Sequence, residues 1–315
     1  MTAVGLLFPG QGAQAVGMGK AFYDRFPESR EIYKRANARL RFDVAALCFE
    51  GPADDLTKTH LCQPALLVTS MAAFAAFSSI SSSLRIIGGA GLSLGELTAL
   101  TAAQAFTFTD ALYLVQARAE AMAQCAAQHP GAMLAVIGLS NEQIAQICRQ
   151  TGVIAANLNA PEQVVLSGSV AGIGQAEAAA TAAGAKRAMR LDVSGAFHSP
   201  LMQPAAEAFR QAIEKTAIAV PRFPVLSNVT AQPVRRPEEI RELLVRQIVS
   251  PVLWEASMRR LAQDGAGMCV EFPPARVLTG LLRRIEPSVK CVPVDEPADF
   301  DKLTAHPSNS SSAVR

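Results

Sequence analysis

The chain has 315 residues, and its 29 Lys and Arg against 27 Asp and Glu leave a formal charge of +2. With the pairs Arg235-Arg236, Arg259-Arg260 and Arg283-Arg284 scattered among acids, that balance argues against the one-sided basic face that grips a nucleic-acid backbone. Half of the residues are apolar and only 6% aromatic, so a large aliphatic core is expected, one that needs no disulfide or metal staple at this length.

In chain order, Val4 to Phe8 is a short apolar run ending at Pro9-Gly10, which suits a buried strand feeding a loop. Helical patterns fill most of residues 20 to 77. The longest apolar stretch, Ala65 to Phe77, is broken by Thr69 and Ser70 and is too short for a bilayer, so it reads as a buried helix. A second apolar run, Leu84 to Ala90, leads through Gly91-Leu92-Ser93-Leu94-Gly95 into a helix over Glu96 to Ala103. Residues 110 to 127 are helical by period, with Ala111, Leu114, Val115 and Met122 on one stripe. From about residue 132 the texture becomes strand, helix, strand pair, helix, strand: Ala132–Ile137, Asn141–Gln150, Val153–Ala156 with Val164–Ser167, Gly172–Ala183 and Ala188–Val193. A helix carrying Ala205, Phe209 and Ile213 follows, then a strand at Val225–Ser227, helices at Pro237–Ile248 and Leu253–Gln263, and a strand at Met268–Phe272.

The expected fold class is α/β. A large subdomain, discontinuous over 1–128 and 194–297, carries an inserted small α+β subdomain of ferredoxin-like pattern at 129–193. The last eighteen residues, 298–315, are rich in serine and aperiodic, and read as a disordered tail. The six cysteines include no Cys-x-x-Cys and no histidine in ligand register, so neither a zinc site nor a disulfide framework is expected. The N-terminus has no basic start followed by a signal-length apolar run, which makes a cytoplasmic location the default expectation.

Gly91-Leu92-Ser93-Leu94-Gly95 fits G-x-S-x-G between a strand and a helix, the context in which the serine is presented on a sharp turn. The free N–H groups and positive dipole end of the following helix favour an oxyanion there. A serine hydroxyl needs a base at neutral pH. His60 lies in a polar loop, His129 beside Pro130 and His306 in the tail, whereas His198 sits in a short loop, Ser194 to Pro200, between a strand and a helix. Arg118 continues the apolar stripe of its helix, so its guanidinium points inward and demands an anion. Glu96 is one candidate partner, and a substrate carboxylate held by the guanidinium fork is the other. Gly10-Gln11-Gly12-Ala13-Gln14-Ala15 formally matches G-x-G-x-x-A, but Gly17 and Gly19 interrupt the helix that a dinucleotide site requires, and no Walker A pattern is present.

Taken together, Phe8-Pro9-Gly10-Gln11-Gly12, Cys62-Gln63-Pro64-Ala65-Leu66, Gly91 to Glu96, Arg118, Gly195-Ala196-Phe197-His198-Ser199, Gln247 ahead of Pro251 and Trp254, and Val277 to Leu281 resemble the malonyl-CoA:acyl carrier protein transacylase family. The resemblance runs from near the N-terminus to about residue 282. It implies an α/β-hydrolase-like large subdomain and a Ser-His pair, in which Ser93 takes the acyl group from coenzyme A and His198 acts as base and then acid. It also implies a main-chain carbonyl near Gln247 orienting the imidazole, an oxyanion hole from the N–H groups of Gln11 and Leu94, and Arg118 clamping the malonyl carboxylate with Gln63 nearby. Gln63, Phe197 and Gln247 join Arg118 as expected substrate-binding residues, with Phe197 leaving little room for an α-methyl branch. The implied partners are malonyl-CoA and an acyl carrier protein, with no nucleic acid or membrane, and no metal or redox cofactor is implied. The chain departs from the family pattern at Leu92, where histidine is common, at Leu97, where an aromatic is usual, and at Pro273-Pro274-Ala275-Arg276. The competing readings are a serine esterase or acyl-CoA hydrolase and a noncatalytic homologue that docks a carrier protein. Fatty-acid and polyketide pathways are equally compatible with the sequence.

Overall fold

The structure is a computed structural model that describes residues 2–81 and 84–304. Among the described residues ten strands make two sheets. In chain order they are β1 (Thr2–Phe8), β2 (Leu84–Gly91), β3 (Gly131–Ile137), β4 (Ile154–Ala160), β5 (Gln163–Ser169), β6 (Arg187–Arg190), β7 (Val225–Leu226), β8 (Pro233–Val234), β9 (Met268–Glu271) and β10 (Lys290–Pro293). The large sheet runs β10-β9-β1-β2-β7-β8 and is parallel except for the β7–β8 pair. Because β1 is central, both of its faces are covered and it reads as an unbroken apolar run rather than an alternation.

Alternation still decides which side chain enters which core. Val4, Leu6 and Phe8 point into one core under the helix Thr59–Ile80, while Leu7 points into another with Trp254, Met258 and Leu261. Gly5 sits on the second face, where a Cβ would press on the Leu261 side chain. In the first core Phe272 stacks on Phe8 with ring centroids 5.0 Å apart and meets Phe74 and Phe77 edge-on at 5.5 and 5.4 Å. The helix Thr59–Ile80 extends the predicted Ala65–Phe77 segment to 22 residues. By length and composition it could cross a membrane, yet 78% of its most apolar window is buried inside this protein.

The second sheet is antiparallel, in the order β4-β5-β3-β6, and the unit reads strand, helix, strand, strand, helix, strand as expected. Its helices, Asn141–Thr151 and Val170–Ala182, pack on Leu134, Val136, Val164 and Leu166. The alternate residues Met133, Ala135 and Val165 face a cavity between this sheet and the large one. Strand β4 continues to Ala160, beyond the expected end at Ala156. That extra length lets it dock on the large unit: Leu158 N–H donates to the Val252 carbonyl at 2.9 Å, and Val252 N–H to the Ala156 carbonyl at 2.8 Å.

The expected tail needs correction at its start. Residues Pro297–Phe300 form a 3-10 turn that leads into a short helix, Asp301–Thr304. Phe300 is what orders them, being buried against Phe22, Phe26 and Phe77. Residues 305–315, and with them His306, lie outside the described residues.

Truncating Phe272 deletes a ring that touches three others, so Phe272→Ala should destabilise the fold by about 3–5 kcal/mol. Chemical denaturation of the two proteins checks this, and a loss below about 1 kcal/mol would mean that the aromatic cluster is not the keystone of that face.

Candidate active site

Strands β1 and β2 end side by side, with Phe8 opposite Gly91. The loops that follow them therefore emerge together at the carboxyl edge of the sheet, where open α/β sheets place their ligands. The β2 strand turns into the helix Leu94–Ala102 through Ser93, whose φ of 55° and ψ of −106° lie outside the regions that L-residues prefer. Glycine is what makes this turn possible. A Cβ on Gly91 would overlap the Gly95 carbonyl, and one on Gly95 would overlap the Phe8 carbonyl, so the first turn of the helix lies directly against the strand ends.

Ser93 Oγ lies 2.8 Å from His198 Nε2, across 105 residues of chain. On the far side of the ring, His198 Nδ1 is 2.8 Å from the Gln247 main-chain carbonyl. A carbonyl can only accept, so Nδ1 carries the proton and Nε2 is left with a lone pair facing the hydroxyl. His198 also has a positive φ, 58°, at the turn between β6 and the helix Gln203–Glu214. Burial, and after it the Arg118 charge, pushes its pKa down to about 4, well below the imidazole range that the sequence alone suggests.

Arg118, on the helix Phe108–Gln128, is 1% exposed. Its Nη1 donates to Gln63 Oε1 at 2.7 Å, and its Nη2 to Ser93 Oγ at 3.0 Å and Gln247 Oε1 at 2.9 Å. Nε is buried and has no hydrogen-bond partner among the described residues. Burial lowers its pKa to about 10, with Glu96 opposing, so the group stays charged at neutral pH. Arg118 makes none of these side-chain contacts with Glu96 directly; the Gln247 amide stands between them, donating through Nε2 to Glu96 Oε2 at 2.6 Å.

These groups open onto a cavity of about 270 Å³ whose lining includes Gln11, Gln63, Ser93, Leu94, Arg118 and Phe197. Leu94 is the first residue of its helix and Gln11 follows the end of β1, so both main chains lie beside the serine turn. Phe197 is buried at 6% exposure. Gln247 is a correction to the expected substrate-binding set. It is absent from the cavity lining and sits behind the site, where its side chain and carbonyl hold Arg118 and His198. His60 also moves from the expected loop to the first turn of the helix Thr59–Ile80, where it is exposed.

Sequence reasoning missed Asn228. Its Oδ1 accepts from Ser93 N–H at 2.7 Å and its Nδ2 donates to the Gly91 carbonyl at 2.8 Å, bracing the serine turn on both sides. It missed as well the cavity walls contributed by Asn157 and Asn159 of β4 and by Val277, Leu278 and Leu281. The period-2 placement of Asn157 and Asn159 was the available signal. Among the described residues no cluster of three or more His, Cys, Asp and Glu side chains comes together as a metal site would.

The family profile described as acyl transferase domain matches residues 6–295. The chain belongs to the acyl transferase family. Within it, this acyl transferase is 39% identical over 306 residues to the malonyl CoA-acyl carrier protein transacylase of Bacillus subtilis, covering 96% of each chain. The crystal structure of an acyl carrier protein S-malonyltransferase from Vibrio cholerae superposes with a TM-score of 0.91 at 35% identity, over 96% of this chain and 100% of that one. A malonyl-transacylase in complex with a type II polyketide acyl carrier protein superposes equally well, with a TM-score of 0.91 at 36% identity over 96% of this chain and 98% of that one. These likenesses make this acyl transferase a member of the malonyl-CoA:acyl carrier protein transacylase family and a mixed α/β protein of that fold.

The ring geometry yields a pH prediction. Because the neutral imidazole is favoured by burial, the His198 ring signal, identified as the one missing from His198→Gln, should titrate near pH 4 in NMR spectra of the histidine-labelled protein. A midpoint at 6 or above would mean that the ring is far better solvated than its packing implies.

Proposed function

We propose that the chain transfers a malonyl group from malonyl-CoA to the phosphopantetheine thiol of an acyl carrier protein, through a malonyl ester on Ser93, feeding fatty-acid or polyketide synthesis. The observation that carries this reading is the Ser93 Oγ–His198 Nε2 contact of 2.8 Å with a buried guanidinium 3.0 Å from the same oxygen.

In the first half-reaction Ser93 Oγ attacks the thioester carbonyl while His198 Nε2 takes the hydroxyl proton. The Gln247 carbonyl holds Nδ1–H throughout, so the ring stays in the tautomer that can accept and is stabilised when it becomes cationic. The N–H groups of Gln11 and Leu94 receive the oxyanion, assisted by the positive end of the helix Leu94–Ala102. The tetrahedral species collapses, and coenzyme A leaves with the proton from His198. In the second half-reaction the carrier thiol gives its proton to His198 and attacks the ester, and Ser93 leaves with that proton restored.

Arg118 supplies the selectivity. Its unpartnered Nε and its Nη2, now turned to Ser93 Oγ, offer donors to the free carboxylate of the malonyl group, while Gln63 anchors Nη1. Phe197 closes the wall near the α-carbon, and a methyl branch excluded there is disfavoured by about 1–3 kcal/mol. The Leu92 departure leaves the base in place, since the group that can take the proton from Ser93 Oγ is His198 Nε2.

The finer fold reading belongs to the same proposal: residues 1–128 and 194–297 form an α/β-hydrolase-like unit and 129–193 a ferredoxin-like one, supported by the β4-β5-β3-β6 strand order. A cytoplasmic site of action completes it. Hydrolysis and noncatalytic docking, the competing readings, are favoured by no contact described above.

Single-turnover acylation tests the proposal. Malonyl-CoA should add one malonyl mass to the parent and none to Ser93→Ala, and a holo carrier protein should discharge it. Predominant release of free malonate with a competent carrier present would sink the transferase reading. Arg118→Ala should slow malonyl transfer relative to acetyl transfer by the equivalent of about 1.5–3 kcal/mol, roughly ten- to a hundredfold, and equal losses for the two acyl groups would make Arg118 structural.

A further inference from the structure

Glu96 touches none of the reacting groups, yet Gln247 and Asn228, which position them, are hydrogen-bonded to it directly, and Arg118 lies one hydrogen bond beyond Gln247. Its carboxylate is 1% exposed, in the first turn of the helix Leu94–Ala102. Oε2 accepts from Gln247 Nε2 at 2.6 Å and from the Asn228 main-chain N–H at 3.0 Å. The same Gln247 Nε2 reaches the Ser93 carbonyl at 3.0 Å and Asn228 Oδ1 at 3.3 Å. The opposite end of that amide, Oε1, faces Arg118 Nη2.

An amide has a donor end and an acceptor end, and an ionised carboxylate only accepts. The carboxylate therefore forces the NH2 of Gln247 toward itself and the oxygen toward Arg118. Were the amide reversed, Nε2 would meet a guanidinium that can only donate, and two buried donors would confront one another. The arrangement also puts the Glu96 carboxylate one amide away from the buried Arg118 guanidinium.

We propose that Glu96 is a positioning residue for malonyl transfer, its buried carboxylate fixing the direction of the Gln247 amide and thereby holding the Arg118 guanidinium in register with Ser93. This rests on the reading above, in which Arg118 receives the malonyl carboxylate.

Glu96→Gln tests it, because the variant keeps the volume and one acceptor oxygen but loses the charge and adds a donor, which loosens the hold on the Gln247 amide and on the guanidinium beyond it. The readout is kcat and KM for malonyl-CoA and acetyl-CoA at pH 8, with Tm, for the parent, Glu96→Gln, Arg118→Ala and the double variant. Glu96→Gln should lower kcat/KM for malonyl-CoA about tenfold more than for acetyl-CoA, and in the Arg118→Ala background it should add less than about threefold. Glu96→Asp, which keeps the charge but withdraws the oxygen by one methylene, should show the same malonyl-selective loss and guards against a misfolded first variant. Proportional losses for both acyl groups tracking a fall in Tm, or additive losses in the double variant, would overturn the proposal. A parent that forms no malonyl-Ser93 fails the functional reading instead, a result distinct from a parent that transfers malonyl while the Glu96 variants remain selective.

Discussion

A full positive charge taken out of water is the constraint around which this site is built. Arg118 sits on an otherwise apolar helix stripe and is 1% exposed, and removing such an ion from water costs several kcal/mol unless its donors are met. Gln63, Gln247 and Ser93 meet two of its three nitrogens. The field of that cation then spreads outward. It helps to keep the His198 ring neutral, and it opposes, without cancelling, the burial that raises the Glu96 pKa to about 7. The reactive pair and the buried charges are thus one electrostatic unit rather than a dyad with neighbours.

Close approach of main chains is what brings the unit together. The serine turn can lie against the ends of β1 and β2 only because Gly91 and Gly95 carry no side chains, and Gly10 meets the Leu92 carbonyl in the same way. Asn228 then braces the turn from a segment more than a hundred residues away. Strain at Ser93 and at His198, both with positive φ, is held by these contacts, as expected where a functional geometry is over-determined by its surroundings.

Much of this was legible in the sequence, for identifiable reasons. The strand, glycine turn and helix around Ser93 declare themselves locally, and Arg118 betrays its inward direction by continuing an apolar stripe. The βαββαβ texture from residue 131 onward is likewise a local pattern. Asn228 was not legible, because a side chain that braces a turn from a distant loop leaves no periodic mark. The role of Gln247 was half visible: its carbonyl was anticipated, but its amide was assigned to substrate when it faces Arg118 and Glu96. The low pKa of His198 could not be read at all, since it depends on how tightly three remote segments enclose one ring. The tail misled because serine-rich composition outweighed the single aromatic, Phe300, that anchors its first turns.

The rung between β4 and Val252 reaches further than its two hydrogen bonds suggest. Val252 stands five positions after Gln247, so the edge of the antiparallel sheet is laced to the very loop that steers the histidine ring. A chimera that swaps in a relative's segment from β3 to β6 therefore inherits a seam, and must carry a matching partner for positions 156 to 158 or leave that loop unmoored.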